Sequence, residues 1–474
     1  MPMYRQIIKP LPILKGQQFM RLLSSTAKKS ATIAATPLPT LSNSTAKQFA
    51  SSKYLTSLNN SELLGYAVIG MATLTPWTLK AVIALFPYTP LFLIKALIYK
   101  NYCGGENFKE VLQTGERLSE RGVKGMMISY TPEACDGKKM SVSVEDIVKA
   151  TATSVSQVLS PHVEKMIETA KTKAGSSLDS VKKAINEIPP SYVALKPTGL
   201  IDSAADLLLN FEKESYKCQY NALLKNCEAI CDIAQAENVR LHQKYPEREA
   251  PFVVVIVDAE KYDLQQGVYK LQRDLMAKYN RLESTVVGTV QMYLKESSNV
   301  LENENRLAEQ GGYKLGWKLV RGAYIHSEPD RGVIHETKAD TDVNYDNGIT
   351  NTIANMSSPN PTVGHLVVAS HNGSTQLKAT KLLQTVDTVN SDKVRANVVM
   401  GQLLGMADNV TYELVEKYKV KNIIKYVPWG PPLETKDYLL RRLEENGDAV
   451  RADSGWPLLK GIINTTIKKV MGSA

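Results

Sequence analysis

From Met1 to Ser61 the chain contains no aspartate or glutamate, although it carries eight lysines and arginines there. The formal charge of all 474 residues is +9, so most of the excess belongs to this segment and the rest of the chain is nearly neutral. A neutral body removes the basis for a nucleic-acid-binding surface. The segment is rich in Ser, Thr and Ala, bears Arg and Lys and lacks acids, the composition of a mitochondrial transit peptide, which is expected over residues 1–50.

Cysteine is also scarce. Cys103, Cys135, Cys218, Cys227 and Cys231 form an odd set without a CxxC pair, and no histidine sits beside Cys227 and Cys231 to complete a zinc site. The five read as reduced thiols in a protein that is not secreted, and no metal is expected. Neither G-x-G-x-x-G nor a P-loop occurs, so the usual nucleotide signatures of an open doubly wound sheet are missing. Residues 63–97 are strongly apolar but are interrupted by Lys80, Lys95 and three prolines. Neither half offers the roughly 20 mainly apolar residues of a spanning helix. Region 51–120 is therefore expected to be helical and partly apolar. It either covers the catalytic body or lies on a membrane surface, and the sequence favours neither.

What the chain does have, beyond residue 120, is repetition. Short Val- and Ile-rich runs alternate with helical patterns: KGMMISY (124–130), SYVALK (191–196), FVVVIVD (252–258), TVVGTVQ (285–291), KLGWKLVRGAY (314–324), HLVVASHN (365–372), ANVVMGQ (396–402) and NIIKYVPWG (422–430). Continuously apolar runs indicate strands covered on both faces, as in parallel sheets. Eight strand and helix units in alternation predict an α/β fold, a (βα)8 barrel of the TIM-barrel type over residues 121–474, with the helical, partly apolar region as an N-terminal extension.

Such barrels build their sites at the carboxyl ends of the strands. The residues there are Lys196, Asp258, Gln291, Arg321, Tyr324, His371, Gln402 and Tyr426, a ring of polar groups that capping alone does not require. After the eighth strand, KDYLLRRLEENGDAV (436–450) reads as a helix, started by paired prolines and ended at Asn446-Gly447. Its polar stripe holds Tyr438, Arg441, Arg442 and Glu445 on one face. If that face tips over the barrel mouth, adjacent guanidiniums suit the bidentate grip of a carboxylate. Glu445 and Asp258 can hold the guanidiniums, Lys196 balances local charge, and Tyr438 offers a flat surface to a small ring. A small amino or imino acid is the substrate this arrangement suggests.

The motifs YLLRRLEENGDAV, KLVRGAYIHSE, VASHN, GQLLGMADN, YVPWGPPLETKDY, YCGGENFKEV and DAEKYDLQ, in this order-specific set between about Tyr102 and Pro457, resemble the mitochondrial proline dehydrogenase (proline oxidase) family, particularly its fungal members. The resemblance implies a (βα)8 flavoenzyme that holds FAD non-covalently, oxidises L-proline to Δ1-pyrroline-5-carboxylate and passes electrons to ubiquinone at the mitochondrial inner membrane, the first step of proline catabolism to glutamate. Carried over, Arg441 and Arg442 clamp the proline carboxylate. Lys196, Asp258 and Tyr426 stand nearest the chemistry, and Tyr438, Leu403, Ala323, Tyr324 and Glu445 line the rest of the substrate pocket. Gln291, Lys318, Arg321, Gly322, His371, Asn372 and Gln402 surround the flavin. Two departures stand out. Bacterial-type relatives have arginine where this chain has Lys318, and the first strand ends in SYTPEA rather than an acid followed by LGE, leaving Glu133 as the candidate gate. Two rivals exist: a Schiff-base aldolase or lyase using Lys196 or Lys318, and a membrane-associated barrel without catalysis. The aldolase gives no reason for the Tyr-Arg-Arg stripe.

Overall fold

The computed structural model describes residues 54–132, 142–325, 327–386, 391–445 and 455–471, without the side chains of 437 and 441–445. Eight strands, β1 (Gly125–Tyr130), β2 (Ser191–Leu195), β3 (Val253–Val257), β4 (Val286–Gln291), β5 (Leu315–Val320), β6 (Val363–Ala369), β7 (Val398–Leu403) and β8 (Ile423–Trp429), close in chain order into a barrel. Every pairing is parallel, including β1 with β8, where Met127 lies opposite Tyr426. The eight apolar runs are these eight strands.

The runs are continuous rather than alternating because both strand faces are dry. Met127, Tyr192, Val254, Ile256, Val287, Val367, Val399 and Ile424 fill the lumen. The alternate residues, such as Val253, Val255 and Val257, pack outward against the helices. Each fully buried aliphatic side chain contributes about 1.5–3 kcal/mol through loss of apolar surface from water. An ionisable group at Val254 would break the lumen packing. The lumen floor is polar but satisfied. Buried His365 accepts from the Tyr192 hydroxyl at 2.9 Å and meets Asn397 Oδ1 at 3.1 Å. Burial holds its pKa down at about 4, so the ring is neutral.

The helices that return the chain carry ordinary start signals. Asn59 and Glu62 form a capping box at Asn60–Ala72, and Thr75 with Thr78 does the same at Pro76–Leu85, where proline occupies the first turn. The helical pattern expected after β2 appears as Ala204–Leu209 and Lys217–Lys244. The helix expected over 436–450 runs Pro432–Glu445, so the paired prolines do start it. Its expected end at Asn446-Gly447 lies outside the described residues, as do Glu133 and the leader 1–50.

The apolar region 63–97 folds as Asn60–Ala72, Pro76–Leu85 and Leu91–Ile94 with connecting turns. One side of it covers the body. Phe86, Ile94, Tyr99 and Cys103 pack with Tyr438 and Leu439 of the helix Pro432–Glu445, and Lys436 Nζ donates to the carbonyls of Pro87 and Thr89 at 2.6 and 2.9 Å. Leu63 and Tyr66 pack with Leu458 and Ile462 of the C-terminal helix Gly455–Val470. Gly405, at φ +75°, lets the loop after β7 approach the Asn101 carbonyl so closely that a Cβ would lie 2.4 Å from it.

Candidate active site

Alternation along each strand carries the lumen pattern to the carboxyl ends: Ala194 leads to Lys196, Ile256 to Asp258, Val287 to Gln291, Val399 to Leu403 and Ile424 to Tyr426. Two of these ends meet Lys318, which lies inside β5. Lys318 Nζ donates to Asp258 Oδ1, the Tyr426 hydroxyl donates to Asp258 Oδ2 at 3.0 Å, and the ammonium sits 5.6 Å from the Tyr426 ring centroid. Burial first, and the Asp258 charge second, push the Tyr426 pKa well up, with a smaller contribution from Tyr438. Tyr426 is thus a fixed neutral donor, and Tyr438 stands near it. The Lys318 ammonium is committed to Asp258, which disfavours it as a Schiff-base nucleophile.

A second group joins the ends of β2 to β5. Gln291 Nε2 donates to the Glu260 carbonyl at 2.8 Å, and Ala323 N donates to Gln291 Oε1 at 3.4 Å. The Tyr324 hydroxyl donates to Glu260 Oε2 at 3.2 Å, and Thr198 Oγ1 donates to Glu260 Oε1 at 2.8 Å. Glu260 and Thr198 were not singled out from the sequence. The signal was available, since Glu260 is a carboxylate in the loop that directly follows β3. Gly322 sits against the Tyr293 ring, where a Cβ would come within 2.2 Å. Its glycine is required by that packing.

Arg321 occupies the β5–β6 rim. Its Nε, Nη1 and Nη2 donate to Asp342 at 2.6 Å, Ser370 at 2.5 Å and Thr375 at 2.7 Å, and the guanidinium lies 4.3 Å from the Tyr345 ring centroid. Burial opposes the charge of Asp342, but Lys338 and Arg321 outweigh it and its pKa falls below the usual carboxylate range. His371 Nε2 accepts from Leu403 N at 3.1 Å, so the neutral ring carries its proton on Nδ1. Asn372 caps the helix Gly373–Thr385 by accepting from Thr375 N at 3.2 Å.

One expected ring member is elsewhere. Gln402 precedes the inward Leu403 and therefore points outward, where its Oε1 accepts from Thr411 Oγ1 and from Lys425 Nζ at 3.2 Å. The reading of Gln402 as a mouth residue is corrected by that alternation. Lys425 belongs to the same outer network: it pairs with Asp408 at 2.7 Å, and Asp408 Oδ2 accepts from Tyr54 at 2.9 Å and Tyr66 at 2.6 Å. Arg441, Arg442 and Glu445 fall on the described helix Pro432–Glu445, one and two turns beyond Tyr438, but their side chains lie outside the described residues.

A closed parallel barrel of eight strands with helices between them, its mouth gathering buried Lys318 with half-buried Asp258 and Tyr426, defines the class as a (βα)8 barrel with a polar mouth. The family profile described as proline dehydrogenase matches residues 111–453, and the chain belongs to that family. It is 29% identical over 402 residues to the probable mitochondrial proline dehydrogenase of Schizosaccharomyces pombe, covering 77% of this chain and 78% of that one. With the mitochondrial proline dehydrogenase 1 of Dictyostelium discoideum it shares 27% identity over 77% of this chain and 63% of the relative, so it spans somewhat less than two thirds of that protein. Its fold is similar to proline utilization A from Bdellovibrio bacteriovorus, with a TM-score of 0.54 at 16% identity over 90% of this chain and 39% of that one.

Proposed function

We propose that the protein is an FAD-dependent proline dehydrogenase, oxidising L-proline to Δ1-pyrroline-5-carboxylate in the first step of proline catabolism. The observation that carries this reading is the cluster of Lys318, Asp258 and Tyr426 at the barrel mouth, with Tyr438 of the helix Pro432–Glu445 beside it. Tyr438, Arg441, Arg442 and Glu445 share one face of the helix Pro432–Glu445, and this reading assigns that face to the substrate.

The residues present fit a flavin. Gln291 brings an amide, Lys318 and Arg321 cationic groups and His371 a neutral imidazole to the β4–β6 arc of the rim, a polar lining suited to the ring edge and anionic phosphates of a flavin held without a covalent bond. When bound, FAD supplies the hydride acceptor. Gly322 and Asn372 shape that arc through packing and capping, and Gln402 supports it only from behind.

The chain's own residues position the substrate. Arg441 and Arg442 grip the carboxylate in bidentate fashion, and Glu445 steadies them. Lys196 adds positive charge, which together with the arginines favours the neutral amine over the ammonium. With the nitrogen deprotonated, its lone pair can close the C=N bond as hydride leaves the adjacent ring carbon. Asp258, oriented by Lys318 and Tyr426, fixes the polar side of the pocket. Leu403, Ala323, Tyr324 and Tyr438 bound the pyrrolidine ring.

The acidless leader supports import into the mitochondrion over residues 1–50, and the names of the relatives agree with that compartment. Ubiquinone on the matrix side of the inner membrane is the electron acceptor in this reading. The test is direct: the purified protein should be yellow, with flavin absorbance that bleaches on adding L-proline. A colourless protein that gains no colour or proline-dependent dye reduction with added FAD would refute it.

A further inference from the structure

Residues 63–105 contain Lys80, Lys95 and Lys100 and no acid, and residues 455–471 contain Lys460, Lys468 and Lys469 and no acid. These two segments pack on each other through Leu63, Tyr66, Leu458 and Ile462. Their other side is apolar and exposed: Trp77 is 83% exposed, Tyr88 84%, Phe92 69% and Trp456 64%. In the helix Pro76–Leu85 only Leu79 is buried, and Trp77, Lys80, Ala81, Ala84 and Leu85 recur at helical spacing on the outside. Lys95 pairs with Glu106 and Lys469 donates to the Leu58 carbonyl, while Lys80, Lys100, Lys460 and Lys468 make no ion pair among the described residues.

Large exposed aromatic and aliphatic side chains on adjoining helices mark an interaction surface. Tryptophan and tyrosine among lysines, with no carboxylate, match the interface of an anionic bilayer rather than another protein face of mixed charge. Among the described residues no single helix is long and apolar enough to cross a membrane, and the pair Asn60–Ala72 and Pro76–Tyr88, which passes together, is bent by 113°. We infer that this helical layer, formed by residues 63–99 and 455–471, lies flat on an anionic phospholipid surface without spanning it. The inference deepens the membrane association in the proposed function, and it adds which residues face the lipid and what charge the lipid carries. Lys436 ties the same layer to the helix that bears Arg441 and Arg442.

The chain's four tryptophans give a built-in readout, because Trp317 and Trp429 are 1% and 4% exposed and only Trp77 and Trp456 can change surroundings on docking. The holoenzyme should float with vesicles of phosphatidylcholine mixed with phosphatidylglycerol, show a blue-shifted emission, and be released by alkaline carbonate. It should bind vesicles of phosphatidylcholine alone at least about tenfold less well. The triple variant Trp77→Ala, Tyr88→Ser, Phe92→Ser alters only exposed side chains; it should lose about tenfold or more in vesicle binding and keep proline-dependent reduction of a soluble dye. Absence of flotation, equal binding to both vesicle types, or resistance to carbonate would overturn the inference. So would a dimer in vesicle-free buffer that the triple variant dissolves. A protein that floats but does not oxidise proline would sink the catalytic reading alone.

Discussion

Two lysine–aspartate pairs meet neighbouring residues of strand β8 from opposite faces. Lys318 with Asp258 is inside the mouth, where the two side chains keep 8% and 15% of their exposure and Tyr426 completes the group. Lys425 with Asp408 is outside the barrel, the lysine 1% exposed, and its aspartate is held by Tyr54 and Tyr66 of the N-terminal extension. Lys425 and Tyr426 are sequence neighbours, yet strand alternation sends one to each network. The outer pair is a structural joint between barrel and extension. The inner pair stays accessible to a ligand. A buried pair of charges is by itself no sign of function, and what separates the two is the face of the strand they occupy.

Breaking the outer joint should have the largest effect. Asp408→Ala leaves the Lys425 ammonium buried without its partner and removes the acceptor of two tyrosines, at a cost of about 3–5 kcal/mol in unfolding free energy. Chemical denaturation should show it, while the protein that remains folded keeps its KM for proline. If Asp408→Ala instead raised KM and left stability alone, the assignment of the two pairs would be reversed.

Inside the mouth the split should invert. On the proposed function, Arg442→Met would remove half of the carboxylate clamp and should lower kcat/KM for proline by the equivalent of about 2–4 kcal/mol, chiefly through KM, with melting unchanged. Unaltered steady-state kinetics would remove the clamp from the mechanism. Asp258→Asn keeps the shape but takes the charge from Lys318 and Tyr426. Charge-assisted hydrogen bonds of this kind are worth about 1.5–3 kcal/mol, so kcat/KM should fall by about ten- to hundred-fold while the denaturation midpoint moves little.

The smallest effect per step is one of pH, set by basic groups that belong to neither pair. His365 on the lumen floor and His162 against the Lys124 carbonyl are both held down at about 4 by burial. Between pH 6.5 and about 4 the unfolded chain takes up protons there that the folded chain refuses, so their contribution is complete above pH 6.5 and is lost as pH falls towards 4. Each histidine adds a slope of up to about 1.4 kcal/mol per pH unit in that window. Urea melts from pH 7 down to 4.5 should show it, and His365→Gln should flatten the curve.

The strand runs were legible because a barrel strand is dry on both faces, and that condition writes itself as unbroken Val and Ile. The polar strand ends were legible because they stand where those runs stop. Alternation within a strand was also available, and applying it strictly would have moved Gln402 out of the ring beside Leu403; Glu260 lies in the loop after β3, where alternation gives no guide. The apolar stretch 63–97 was ambiguous for a sound reason: the structure gives it one buried side, with Phe86, Ile94 and Tyr99, and one exposed side, with Trp77, Tyr88 and Phe92.

The sequence alone determined the eight units, the helix begun by paired prolines and the polar chemistry of the strand ends, since each depends on periodicity and capping over a few residues. Only the tertiary structure decided that Asp258 meets Lys318 and Tyr426, that Asp408 meets Tyr54 and Tyr66, and that the C-terminal helix packs with the extension. Those contacts join residues tens to hundreds of positions apart, and whether a charge is buried, paired or open to a ligand depends on barrel closure, which no local stretch encodes.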